Sequence, residues 1–331
     1  MADHTLIAPW VRRFLLEHVV GDCNLSINTQ KSYRDMLVQL LPFIAAQACR
    51  PVEQLTVSDL SVDRLRLFLK DLEGKRQCSV RTRNQRLSAI HALARFIGQN
   101  APEHLQWCAG VRLIPFKKAT HRSITCLDRQ EIQALLAAPQ RPTPQGTRDY
   151  ALLLFLYNSG ARVSEAAHLA IQDLDWHARA VQILGKGRKV RTCPLWRETM
   201  RVLKPLVAGR APHAPVFLNR NGEPFTRSGI YGLVKRYARC AAGPVPSITQ
   251  KTIGPHVIRH STASHLLRAG VDLNTIRGWL GHVSLDTTNI YAEIDLETKA
   301  RALDACAIKG GVRSRKPWRK QPKLMEFLHG L

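Results

Sequence analysis

The sequence predicts a mainly α-helical protein with one small β-hairpin, an α+β arrangement in two domains. Three observations predict it. Apolar residues recur at helical spacing along most of the chain, behind Ser and Asp residues suited to capping. One short stretch, RAVQILGKGRKVRTCPL at 179–195, instead alternates around a glycine-containing turn. The length of 331 residues fits about two domains at roughly 150 residues each.

The elements follow in order. Residues 6–20, LIAPWVRRFLLEHVV, have helical periodicity. A second helix is expected over 25–47, with Ser26 or Asn28 as its cap. A third covers LTVSDLSVDRLRLFLKDLEGK, and a fourth covers SVRTRNQRLSAIHALARFIGQN. In the fourth, Leu87, Ile90, His91, Leu93 and Ala94 share one face. Arg81, Arg83, Arg86 and Arg95 are expected outside that stripe, where they contact a phosphate backbone. These four helices make a first domain over residues 1–108. The basic, Pro115-containing stretch 109–124 reads as a linker, with Lys117 and Lys118 facing phosphates. Asp128 and Glu131 form a capping box that opens a second domain, 125–309. DYALLLFLYNSG is apolar enough for a buried helix; the hairpin comes next, and helices fill most of the rest. Residues 310–331 form a basic tail ending in the apolar LMEFL.

Composition narrows the partner. Lys and Arg total 49 against 25 Asp and Glu, a net charge of +24, which calls for a polyanionic partner, nucleic acid being the commonest. No apolar run reaches the roughly 18 residues of a membrane span. The charged start MADHTLIAPWVRRFLLEHVV does not read as a signal peptide. Eight scattered cysteines without C-x-x-C fit a reducing cytosol, so the expected location is cytoplasmic.

Four short stretches carry chemistry. In NSGARVSEAAHL, Arg162 opens a helix and Glu165 sits one turn on; alone, such a pair is an ordinary ion pair. In GPHVIRHSTASHLL, His256 and Arg259 share a helix face behind Pro255. His260 is one turn from His256, but no further ligands complete a zinc site, and no metal is expected. Lys186 and Lys189 lie at the hairpin turn, and LGHVSLDTTNIYAE holds His282 and Tyr291. Two arginines can clamp one phosphate bidentately. Histidines exchange protons near neutral pH. A tyrosine hydroxyl becomes a nucleophile once its proton is taken. Together these are the parts for metal-free attack on a phosphodiester.

In that order the residues resemble the R…K…H-x-x-R…H…Y box of the tyrosine recombinases, the phage integrase family. Arg162, Lys186, His256, Arg259, His282 and Tyr291 match it over about 125–310. The N-terminal helices resemble the family's SAM-like core-binding domain. Two departures touch no catalytic position: Thr262 stands where the family often has Phe, and Trp279 where Leu is common. The resemblance implies site-specific cutting and rejoining of DNA through a 3′-phosphotyrosine on Tyr291, for integration, transposition or resolution. Arg162 and Arg259 would hold the phosphate, His256 assist as base or donor, Lys186 protonate the leaving oxygen and His282 steady the phosphoryl oxygens. Lys186 is preferred over Lys189 because it follows the first Gly of the turn; Lys189 is then a phosphate contact. Glu165 orients Arg162.

The family works as a tetramer on two duplexes, without cofactor or ATP, and residues 297–309 would be the helix that docks into a neighbour. No arm-site domain is expected ahead of the core-binding helices. The wording of TASHLLRAGVDLNTIRGWLGH resembles integrases of mobile elements. Two other classes remain. A type IB topoisomerase would relax one duplex without exchanging strands. A non-catalytic DNA-binding protein would form no covalent adduct.

Overall fold

The computed structural model describes residues 5–119, 125–185, 187 and 189–281. Its chain divides into two compact units, Met1–Arg122 and Ser123–Leu331. Among the described residues both are helical, apart from one three-stranded antiparallel sheet in the second. The mainly helical class with a small sheet is thus borne out.

In the first unit, α1 (Ile7–Arg13) runs on through wider π-type turns over Phe14–Asp22. Helix α2 (Ile27–Ala48) starts at Ser26, whose hydroxyl accepts from the Thr29 N–H, so Ser26 and not Asn28 is the cap. Ser61 and Ser79 cap α3 (Val62–Gly74) and α4 (Val80–Asn100) in the same way. Trp10, Phe14, Met36, Leu40, Phe68 and Leu87 are fully buried between these helices; each contributes about 2 kcal/mol by leaving water.

A fifth helix, α5 (Leu105–Arg112), lies partly where the sequence reads as linker. Cys108 and Val111 are buried against α4, but the short helix lacks the polar spacing that would announce it. The extended stretch after it is fastened to α4. Arg83 Nη1 donates to the Pro115 carbonyl at 2.9 Å, and the Asn84 amide exchanges hydrogen bonds with the Lys117 backbone. The reading of Arg83 as a residue outside the apolar stripe is therefore corrected. Arg83 sits one turn before Leu87 on the same face, so its stem is buried and it is only 6% exposed.

The second unit opens at α6 (Arg129–Ala137), where Asp128 and Glu131 make the reciprocal hydrogen bonds of the expected capping box. Helix α7 (Pro144–Ser159) is the centre of the core, with Ala151 through Leu156 all buried. A helix buried on every side is apolar on every side. The charged group it does bury is answered: Asp149 accepts from Arg148, Arg236 and Tyr237. Gly160 ends α7 at φ +59°, and α8 (Val163–Ala167) follows at once. Strands β1 (Leu174–Asp175), β2 (Ala180–Leu184) and β3 (Val190–Pro194) pair in that order, with Val181 opposite Cys193 and Ile183 opposite Arg191. Then come α9 (Arg197–Val207), α10 (Arg227–Ala241), α11 (Pro255–Arg268) and α12 (Leu273–Leu280).

Candidate active site

The site is built where α7, α8, β3, α11 and α12 end or begin. Arg162 is the residue before α8, and its own N–H donates to Glu165 Oε2 at 2.8 Å. Its guanidinium donates from Nη1 to Glu165 Oε1 at 2.7 Å and from Nη2 to the Gly281 carbonyl at 3.2 Å. Arg259 comes from α11. It is 4% exposed and donates to the carbonyls of Gly160, at 2.5 Å, and Leu280, at 2.6 Å. The two arginines, one just before α8 and one in α11, therefore meet at adjacent carbonyls of one helix end.

That end is the C-terminus of α12, closed by Gly281 at φ +65°. The last carbonyls of a helix lack partners within it and carry its negative dipole end. Guanidinium groups answer both. The carbonyl of Trp279 takes a third arginine, Arg191 of β3, whose Nε donates at 2.9 Å. Arg191 also grips both oxygens of Glu165, at 3.1 and 2.6 Å.

Glu165 is thus an acceptor for two arginines, with its side chain 4% exposed. Burial alone would raise its pKa. The Arg191 hydrogen bonds, the Arg162 N–H, the Arg191 charge and the Arg162 side-chain hydrogen bond outweigh that and hold it at about 2. It is ionised at any working pH. His256 faces solvent one turn ahead of Arg259 in α11. Partial desolvation, then Arg259, Arg162 and Arg227, lower its pKa, so it is neutral near pH 7 and able to take a proton. Desolvation, His256 and Arg259 push His260 down to about 4. Among the described residues no cluster of His, Cys, Asp or Glu could hold a metal ion.

The structure therefore brings Arg162, Glu165, His256 and Arg259 into one neighbourhood. Lys186, His282 and Tyr291 lie outside the described residues, as do 297–309 and the tail. The β2–β3 turn that carries Lys186 in sequence is closed by the Gly185 N–H donating to the Lys189 carbonyl, with Gly187 at φ +74°. Lys189 is exposed beside it.

The expected DNA contacts divide. Arg81 and Lys118 are exposed. Arg86 is half-buried, with Nη1 on the Ser32 carbonyl. Lys117 is exposed, but its ammonium pairs with Glu73 at 2.7 Å. Thr262, one of the two departures, accounts for itself: its hydroxyl donates to the Tyr157 carbonyl near the end of α7 at 2.7 Å. Arg191 is the residue the sequence reading missed. A signal existed, because alternation in β3 puts Arg191 on the face of buried Cys193.

Known proteins agree with this architecture. The model of the phage integrase family matches residues 125–297, and that of the phage integrase N-terminal SAM-like domain matches residues 12–99. The y4rC protein of Sinorhizobium fredii, which carries an integrase/recombinase designation, is 36% identical over 334 residues, covering all of both chains. The tyrosine recombinase XerC of Pelobacter propionicus is 31% identical over 303 residues, 89% of this chain and 93% of that one. Among solved structures, the Tn1549 transposon integrase in complex with a circular intermediate DNA superposes with a TM-score of 0.71. It is 16% identical over 92% of this chain and 100% of that one.

Proposed function

Because the chain belongs to the phage integrase family and is thus a tyrosine recombinase that cuts and rejoins DNA, we propose that Arg162, Lys186, His256, Arg259, His282 and Tyr291 are its catalytic set. The observation that carries this reading is the meeting of Arg162 and Arg259 at the Gly281 and Leu280 carbonyls. Two guanidinium groups held at carbonyls one residue apart suit the non-bridging oxygens of one phosphate, and His282 follows Gly281 in the chain.

The reaction follows from the groups. The Tyr291 oxygen attacks the scissile phosphorus as neutral His256 takes the phenolic proton. The bond from phosphorus to the 5′ oxygen breaks, and Lys186 gives that oxygen a proton. Arg162, Arg259 and His282 stabilise the charge that builds on the phosphoryl oxygens. The product is a 3′-phosphotyrosine and a free 5′-hydroxyl. A 5′-hydroxyl from a partner strand then attacks the phosphotyrosine and releases Tyr291. One phosphodiester replaces another, so neither ATP nor a cofactor enters. Glu165 orients Arg162 through its side chain and backbone N–H.

The exposed Arg81, Lys118 and Lys189 support phosphate contacts, and the +24 charge supports double-stranded DNA as the substrate. The working unit is a tetramer on two duplexes, in the cytoplasm. Among the described residues no helix is long and apolar enough to cross a membrane.

Tyr291→Phe tests the assignment. It removes one hydroxyl and no charge, so DNA affinity stays while covalent protein–DNA adducts vanish from a denaturing gel. Adducts that persist in this variant would place the nucleophile elsewhere.

A further inference from the structure

We propose that Arg191 is a positioning residue for DNA cleavage, which sets the Arg162 clamp by locking Glu165 to the end of α12; this rests on the recombinase reading above. Arg191 is not one of the six catalytic positions, and its side chain is 9% exposed. All three kinds of nitrogen in its guanidinium are used. Nη1 and Nη2 take the two oxygens of Glu165, and Nε takes the Trp279 carbonyl. Glu165 in turn accepts from the N–H and Nη1 of Arg162. Arg191 therefore acts through the carboxylate and not on the substrate.

The arrangement is ordered along the chain. The carbonyls of Trp279, Leu280 and Gly281 receive Arg191, Arg259 and Arg162 in turn. Two of these arginines are the phosphate clamp; the third ties the carboxylate behind the clamp to the same helix end. Packing is close, since a Cβ at Gly281 would lie 3.1 Å from Arg191 Cδ. Only a planar fork with several donors spans a carboxylate and a carbonyl together, and a lysine has one nitrogen for the task. Hydrogen bonding from Arg191 is also the foremost influence keeping buried Glu165 ionised.

Removing Arg191 therefore has two effects. Arg162 loses its fixed backing, and the pKa of buried Glu165 rises as its foremost lowering influence is removed. A neutral Glu165 releases the Arg162 guanidinium from its orientation. Misplacement of a clamp by about 1 Å costs roughly 100-fold in rate.

The test uses the full chain and a nicked duplex selected from a random-sequence pool by the covalent adduct it forms with the unaltered protein. Single-turnover adduct formation at saturating protein, DNA affinity and circular dichroism are measured from about pH 5 to about pH 8. Arg191→Met should lose about 100-fold in rate with affinity unchanged, and Arg191→Lys should recover about 10-fold of it. The Arg191→Met loss should deepen toward acid. Adding Glu165→Gln should remove that acid dependence, because the titrating group is gone.

A folded Arg191→Met that cleaves at the unaltered rate overturns the proposal. So does a variant whose lost rate is matched by lost affinity, with no change in pH profile, since that is a merely structural role. If Arg191→Met does not fold, Arg191→Lys decides: a reduced rate with a new acid limb supports positioning, and an unaltered rate and profile overturn it. If the unaltered chain forms no adduct with any sequence, the recombinase reading falls and the positioning role falls with it.

Discussion

Replacing Glu165 by Gln removes one charge and almost no volume. The carboxylate accepts four hydrogen bonds, from the Arg162 N–H and Nη1 and from Arg191 Nη1 and Nη2. A Gln amide turns two N–H donors toward donors and leaves Arg191 as an uncompensated buried charge. The magnitude follows from linkage. The folded pKa is about 2 against an ordinary 4.5, and each unit is worth about 1.4 kcal/mol, so the ionised carboxylate contributes about 3 kcal/mol. That matches the roughly 3–5 kcal/mol for breaking a buried ion pair on one side. The sign is that of a depressed acid. Stability is fully present above pH 4.5 and is lost as pH falls through about 2. Glu165→Gln should thus lie about 3 kcal/mol below the unaltered chain at neutral pH, and the gap should shrink by about 2 kcal/mol near pH 3. Urea unfolding, followed by pulse-labelled hydrogen exchange in peptides from α7 and α11, reads the second unit by itself. A gap that is the same at both pH values would refute the reasoning, as would one under about 1 kcal/mol at neutral pH.

Two further outcomes are expected. Gly160→Ala forces a side chain into φ +59° and sets its Cβ 2.5 Å from Leu280 Cδ2; it should cost about 2–3 kcal/mol in urea unfolding and slow adduct formation, and unaltered stability would argue against the close approach of α12. Arg81→Met and Arg83→Met should part company: the exposed Arg81 should lower the log–log salt slope of DNA binding by about one, whereas the buried Arg83 should lower stability by about 1–3 kcal/mol without changing that slope.

Much of this was legible where one local rule decides the outcome. Asp128 and Glu131 announce α6 because a reciprocal cap needs only residues three apart. The run Ala151–Leu156 announces a buried helix, and the alternation about Gly185–Lys189 announces β2 and β3. His256 and Arg259 are recognisable because α11 repeats at the helical period. What escaped depends on distant partners. Arg83 looks like a surface cation until the Pro115 carbonyl is seen to reach it. Arg191 looks like one more basic residue of a basic hairpin, and only the fold brings Glu165 and Trp279 to it. Even so, the period of α4 and the alternation of β3 place both side chains on inward faces. A buried arginine always needs an acceptor, so an inward arginine is a question that sequence can pose and only topology can answer.

The end of α12 ties three arginines to one element. Its carbonyls are spaced by the helix, so a shift of α12 as a rigid piece breaks one hydrogen bond each from Arg162, Arg191 and Arg259 in one motion, while Glu165 and the Gly160 carbonyl keep their hold. Hydrogen bonds to charged groups are worth about 1.5–3 kcal/mol each, so their joint loss amounts to at least about 5 kcal/mol. A gap of that size nearly inverts a population of 99 to 1. The three contacts at this helix end therefore form or break together.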